Sequence, residues 1–387
     1  MADPRDTGQG FTVQGWCPGA LRPMESGDGW VVRVRAPLSR LTQDQAMGLA
    51  EGARRFGNGR IDLSARANLQ LRGVTPATHV ALIESLRGLN LLDADARSEG
   101  RRNILLSPFA DREAQGIAMG LTEALRDWPD NLADLPGKFG FAIDCGPAPL
   151  MQGSSADIRL ERAETGQLIL RADGASLGAP VTARSAPAAM LALAHWFISH
   201  GGIQNGRGRM ATLIARGARP DAALTGTLAP TRAGQTSGPG PVAGGMLLGL
   251  AFGQMRSETL AALADLGPLQ LTPWRMLLLE GVTALPDHLA FDDLIRTADP
   301  LMQIDACPGA PDCPQALQPT RDLARKLAAL IPKGCRLHVS GCAKGCAHPG
   351  PADLTLVAQT GGFGLIRHGS ARDLPQRLLP PDLKGLF

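Results

Sequence analysis

Four cysteines near the C-terminus carry the strongest chemical signal in the sequence. Five residues separate Cys307 from Cys313, and three separate Cys342 from Cys346. A cubane iron–sulfur cluster needs four thiolates converging on its corners, from turns whose backbone amides can donate to sulfur. Gly309, Gly341 and Gly345, with Pro308 and Pro314, suit turns of that kind. The spacing predicts a [4Fe-4S] cluster held by Cys307, Cys313, Cys342 and Cys346. Two other readings stand beside it. Structural zinc uses closer cysteine pairs or adds histidine, and His338 and His348 lie in the same segment. Unliganded buried thiols are the third. Cys335 reads as a core thiol or one packed beside the ligands, and Cys17 and Cys145 as ordinary small hydrophobes.

Basic residues give the second signal. Arg66, Asn68, Gln70 and Arg72 alternate with other residues up to Gly73, which would place two guanidiniums and two amides on one strand face. Such a face suits multidentate recognition of carboxylates or phosphates. Arg101, Arg102, Asn103 and Lys138 extend it. For any one of these arginines a solvated sheet face is the plainer reading. Beside the cysteines, the set points to a site for a multiply charged anion. No Walker-type loop, no G-x-G-x-x-G between strand and helix, no serine nucleophile elbow and no H-E-x-x-H occurs. Without a Rossmann site for a nicotinamide, electrons are expected from a partner protein.

These side chains must be positioned by regular elements. A strand is expected over residues 29–36, a helix over 41–56 with Thr42 as its cap, and two strand segments over 60–73. The same order returns at 245–252, 257–266 and 269–282. Sliding one segment over the other superposes Gly73 on Gly281 and Ser64 on Thr272, which reads as an internal duplication. Between the copies, strands are expected to start in 101–108 and 138–143, a hairpin to pair 157–161 with 167–172, and helices to cover 187–200 and 207–216. Mixed order without strict alternation predicts an α+β fold.

At 387 residues the chain exceeds one ordinary core. A net charge of +3, with no dense block of like charge, argues against nucleic acid as a partner. The longest apolar stretches, 246–252 and 190–198, are too short to cross a bilayer, so no membrane is expected. Met1–Gly10 lacks the basic start and apolar centre of a signal peptide. A cytoplasmic protein is expected, where reduced thiols bind metal more readily than they form disulfides.

The two cysteine pairs, with Ser340 and Gly341 before the second, resemble the cluster motif of the sirohaem nitrite and sulfite reductase superfamily. Arg66 with Asn68 and Gln70, Arg102-Asn103-Ile104 before Pro108, and Leu135-Pro136-Gly137-Lys138-Phe139 resemble its other motifs, in order. Two positions depart from the reductases: Gly140 stands where they carry a second lysine, and Trp274 occupies the second-copy position equivalent to Arg66. Leu271-Thr-Pro-Trp-Arg-Met and the run from Cys346 to Asp353 resemble most the precorrin-3B synthase branch of aerobic cobalamin biosynthesis.

That resemblance implies O2-dependent hydroxylation of precorrin-3A and closure of a γ-lactone, with electrons passing from an external electron-donor protein through the cluster. It implies that Arg66, Arg102 and Lys138 are catalytic, and that Arg66, Asn68, Gln70, Arg72, Arg102, Asn103 and Lys138 bind the tetrapyrrole. An additional iron, with His348 as a candidate ligand, or a haem-type (sirohaem) group could join the cluster. A sirohaem-dependent nitrite or sulfite reductase is the alternative enzyme, and an electron carrier or zinc-binding protein the alternative outside enzymes. The implied fold is α+β: duplicated ferredoxin-like half-domains combined with nitrite/sulfite reductase-type Fe–S/tetrapyrrole domains. The expected boundaries are 1–80 for the first half-domain, 81–219 for the first tetrapyrrole/Fe–S-type domain, 220–244 for a linker, 245–298 for the second half-domain, and 299–387 for the cluster-binding part.

Overall fold

The structure, a computed structural model, describes residues 17–380, so the reading of Met1–Gly10 lies outside the described residues. Four sheets organise the described residues, each with five strands in its main path, and one of them has a sixth strand off it. The first half-domain is built from Gly29–Val34, Arg40–Leu41, helix Gln43–Phe56, Arg60–Leu63 and Leu69–Val74. Thr42 starts the helix with a capping box, its side chain accepting from the Gln45 amide while the Gln45 side chain bonds back. Gly245–Leu250, Gln254–Arg256, helix Ser257–Ala264, Leu269–Leu271 and Met276–Glu280 repeat that order.

The repeat extends to backbone detail. Leu38 and Phe252 both take left-handed dihedrals, at φ 55° and 58°, and so do Ala67 and Arg275, at 52° and 58°. Gly73 and Gly281 share φ 71° and 74°. Side chains tolerate that region poorly, so its recurrence at matched positions reflects one ancestral turn geometry and not chance.

The copies also exchange strands. Gln254–Arg256 pairs with Arg60–Leu63 of the first copy, Met255 opposite Ile61. Arg40–Leu41 pairs with Leu269–Leu271 of the second, Leu41 opposite Leu269. Each sheet is therefore completed by the other copy, and one core runs through both, including Leu49, Ile61, Leu71, Leu260, Leu271 and Leu277. Neither half can bury its apolar face without its partner.

The other two sheets form a second related pair. Ile104–Leu106, Phe141–Asp144 and Ile158–Arg162 run parallel, followed by antiparallel Leu168–Ala172. Ile304–Ala306, Leu337–Ser340 and Ala352–Gln359 also run parallel, followed by antiparallel Gly362–Gly369. Each has its own core, around Phe139 and Phe197 in one case and Leu337 and Leu356 in the other. No helix among the described residues is long and apolar enough to cross a membrane.

Three local expectations need correction. Residues 101–103 lie outside the strand, because Asp95 caps a short helix, Ala96–Arg101, ahead of Ile104–Leu106. Only Met210–Ala215 of the expected 207–216 helix is helical, and the glycines at 206 and 208 hold the two arginines in a loop. Arg66 precedes its strand instead of sharing a face with Gln70 and Arg72, because Ala67 turns the chain between them.

Candidate functional site

Cys307 follows strand Ile304–Ala306, and Cys342 closely follows the neighbouring parallel strand Leu337–Ser340. Parallel pairing brings both C-terminal ends to one edge, where the loops of such sheets build sites. The first cysteine loop is pinned by the Cys313 amide donating to the Gly309 carbonyl at 2.8 Å and by the Thr320 hydroxyl donating to the Cys307 carbonyl. Gly309 sits at φ 71°, and a β-carbon there would stand 2.7 Å from the Thr320 nitrogen, so this turn requires glycine. Arg60 pairs with Asp312 and anchors the loop to the first half-domain.

All four cysteines line one cavity of about 870 Å³. The Gly341 amide donates to Cys307 Sγ at 3.2 Å, and the Lys344 amide donates to the Cys342 sulfur. Burial, then the neighbouring thiols, raises the pKa of Cys342 and carries that of Cys346 to about 11. Thiolates crowded in this way repel one another, and a bound iron–sulfur cluster relieves both burial and repulsion. Among the described residues no three His, Cys, Asp or Glu side chains come close enough to hold a single ion. The donor set, four thiols on one wall with a backbone amide aimed at the Cys307 sulfur, fits an iron–sulfur cluster.

Among the described residues six cations share the lining: Arg72, Lys138, Arg207, Arg209, Lys344 and Arg372. Arg72 is held by Asp28 at 2.5 Å and Asp62 at 3.4 Å, and Arg209 by the fully buried Asp157 at 2.9 Å. Arg66 donates to the Lys138 carbonyl at 2.8 Å and Ser155 Oγ at 3.0 Å, and its Nε is buried without a partner. Arg102 lies outside the lining, bonded to both Asp93 oxygens at 2.8 Å and to the Arg35 carbonyl. Gln70 accepts from Arg33, while Asn68 is buried and Asn103 is buried with its amide on the Phe139 carbonyl. Of the basic and amide residues singled out by sequence, Arg72 and Lys138 therefore stand on the cavity wall, and the others lie behind or beside it.

Sequence reasoning missed Cys17, Arg207, Arg209, Lys344 and Arg372 on that wall. The run Gly206-Arg-Gly-Arg held a usable signal. Gly206 adopts φ 70°, and a β-carbon on Gly208 would stand 1.9 Å from the Gly202 carbonyl, so the run is a loop and not a helix start.

Behind the cysteines, Asp305 accepts from Arg336 at 2.6 Å and lies 3.3 Å from His348 Nδ1 and 3.4 Å from Arg275. Burial favours the neutral acid, yet His348, Arg275 and Arg336 together hold its pKa at about 2. The second His348 nitrogen faces the Pro351 carbonyl at 3.1 Å. Both ring nitrogens of His348 are thus occupied within the protein. His338 is fully buried, which pushes its pKa down to about 4.

Residues 22–89 match the nitrite/sulfite reductase ferredoxin-like half domain. A precorrin-3B synthase from Sinorhizobium sp. is 32% identical over 95% of this chain and 87% of its own length. A ferredoxin–nitrite reductase from Leptolyngbya laminosa is 30% identical over 33% of this chain and 27% of its own. The solved structure of the Mycobacterium tuberculosis NirA protein superposes with a TM-score of 0.64, at 18% identity, over 92% of this chain and 79% of that one. Together with the strand-exchanged repeat, these matches define an α+β protein that carries a nitrite/sulfite reductase ferredoxin-like half domain and shares the fold of the NirA protein. The chain belongs to the precorrin-3B synthase family, and it is an enzyme of oxidoreductase type.

Proposed function

We propose that the protein serves aerobic cobalamin biosynthesis by hydroxylating precorrin-3A at C20 with O2 and closing a γ-lactone from the ring A acetate. One oxygen atom of O2 enters the macrocycle and the other leaves as water, which requires two electrons and two protons. Cys307, Cys313, Cys342 and Cys346 would hold a [4Fe-4S] cluster, which would supply one-electron transfer from an external electron-donor protein. The observation that carries this reading is that all four cysteines open onto one cavity, of about 870 Å³, whose wall also bears six cationic side chains. That volume falls in the range of pockets that enclose a sizeable ligand. Clustered positive charge favours a polycarboxylate macrocycle beside the cluster.

The chain's own residues have definite tasks in this scheme. The Gly341 and Lys344 amides direct positive dipoles at ligand sulfurs. Arg66 fixes the Lys138 backbone and so sets where that ammonium projects. Arg60, through Asp312, holds the first cysteine loop against the half-domain.

The reductase alternative is disfavoured by Gly140, where a side chain would collide with Asn103. The deciding experiment incubates purified, iron- and sulfide-replete protein with precorrin-3A, a reductant and 18O2. One labelled oxygen atom in a lactone product supports the reading. Failure to convert precorrin-3A, together with sulfite or nitrite turnover on added sirohaem, would replace it.

A further inference from the structure

Five of the six cations on the cavity wall among the described residues fall into two kinds. Arg72 and Arg209 are committed to carboxylates of the protein itself. Lys138, Arg207 and Arg372 are exposed, and among the described residues their side chains make no hydrogen bond or ion pair. Yet the backbone beneath each is fixed. The Lys138 carbonyl accepts from Arg66 at 2.8 Å. Arg207 and Gln204 exchange both backbone bonds, at 2.7 and 2.9 Å. The turn carrying Arg372 is tied by the Ser370 amide on Asp373 Oδ2 at 2.7 Å.

Free cations facing one concavity repel one another and raise its potential, which is relieved when an anion with several separated charges enters. Lys138 and Arg207 come from the lobe containing Phe141–Asp144, and Arg372 from the cysteine-bearing lobe. The two sources stand on different walls, as a ligand bearing carboxylates around its rim would need.

We propose that Arg207 and Arg372, together with Lys138, grip the peripheral carboxylates of the macrocycle and orient it over the cysteines. Arg66 and Arg102 then act as supports of the wall. This rests on the reading of the cavity as a tetrapyrrole site, and it adds to that reading which residues choose a polycarboxylate ligand. Guanidiniums suit the task because they bond a carboxylate in a planar, bidentate manner.

The test titrates the full-length protein with uroporphyrin, which carries eight carboxylates, and with coproporphyrin, which carries four, following tryptophan quenching. Arg207→Gln and Arg372→Gln should each weaken uroporphyrin binding roughly three- to tenfold, and the double variant further. Both side chains are exposed, so melting temperatures should stay at the wild-type value. Lys326→Gln, at an exposed position of helix Arg321–Leu327 outside the cavity lining, should bind as wild type. Added salt should weaken wild-type binding more than that of the double variant. Wild-type affinity in the double variant would overturn the assignment alone. Absence of uroporphyrin and coproporphyrin binding to the wild type would overturn the macrocycle reading with it.

Discussion

Gly140 is pressed against Asn103, so that a β-carbon on Gly140 would stand 2.7 Å from Asn103 Nδ2 and 3.0 Å from its carbonyl. Asn103 cannot readily retreat, because its amide donates to the Phe139 carbonyl at 2.8 Å in a buried site. The Gly140 amide is equally committed, donating to the buried Asp157 carboxylate at 3.0 Å. The reductases that the chain resembles carry lysine here. Gly140→Lys should therefore cost about 1–3 kcal/mol, through overpacking and an unpaired buried amide, without conferring sulfite or nitrite reduction. Urea denaturation measures the cost, and an unchanged midpoint would mean that Asn103 has room to move.

The cysteines should divide sharply by role. Cys342→Ser and Cys346→Ser should reduce iron and acid-labile sulfide in the purified protein to near background. Cys145→Ser should keep wild-type content, since burial holds that thiol at a pKa of about 12 and it packs in the core of the other lobe. Wild-type sulfide in the Cys346 variant would remove that residue from the ligand set.

Asp28 and Arg72 provide the pH-dependent contact. Burial alone would raise the Asp28 pKa, but bonds and charge from Arg72, with Asn58 and the local backbone, leave it below the ordinary 3.8. A depressed carboxyl pKa contributes stability that is fully present above the unfolded-state value and lost as pH falls through the folded-state value. Asp28→Asn should thus cost about 1–3 kcal/mol at neutral pH, limited because Arg72 retains Asp62. The gap from wild type should narrow as pH falls below about 3.8. A gap that stays constant across that range, measured by chemical denaturation, would show that the charge contributes nothing.

The internal repeat was legible because its turns demand unusual backbone: Gly73 and Gly281 recur at φ values that few residues accept. The cysteines were legible because their spacing carries information locally. Strand exchange between the copies was not, since the pairing of Met255 with Ile61 leaves no mark within either segment. The division of the arginines was hidden for the same reason. Arg72 and Arg102 look alike in sequence, and only folding brings Asp28 to one and Asp93 to the other. Arg372 stands in a surface turn with no pattern around it, so its place on the cavity wall follows from tertiary structure alone.

Arg321 should tune the reduction potential of the proposed cluster. It follows Thr320, whose hydroxyl holds the Cys307 carbonyl, and its guanidinium bonds Gln254 and lies 5.8 Å from the Phe252 ring centroid. Its Nε is buried and unpartnered, and its charge is felt at Cys307. Burial lowers its pKa, but a guanidinium remains protonated at any working pH. A fixed cation near a ligand sulfur favours the reduced cluster, which carries one more negative charge. Arg321→Gln should therefore move the midpoint to more negative potential by on the order of tens of millivolts, while Arg321→Lys should retain most of the wild-type value. A redox titration followed by electron paramagnetic resonance reads this directly, with iron and sulfide content checked in each variant. Equal midpoints in the glutamine variant and wild type, at full cluster content, would show that solvent or Asp62 already screens the charge.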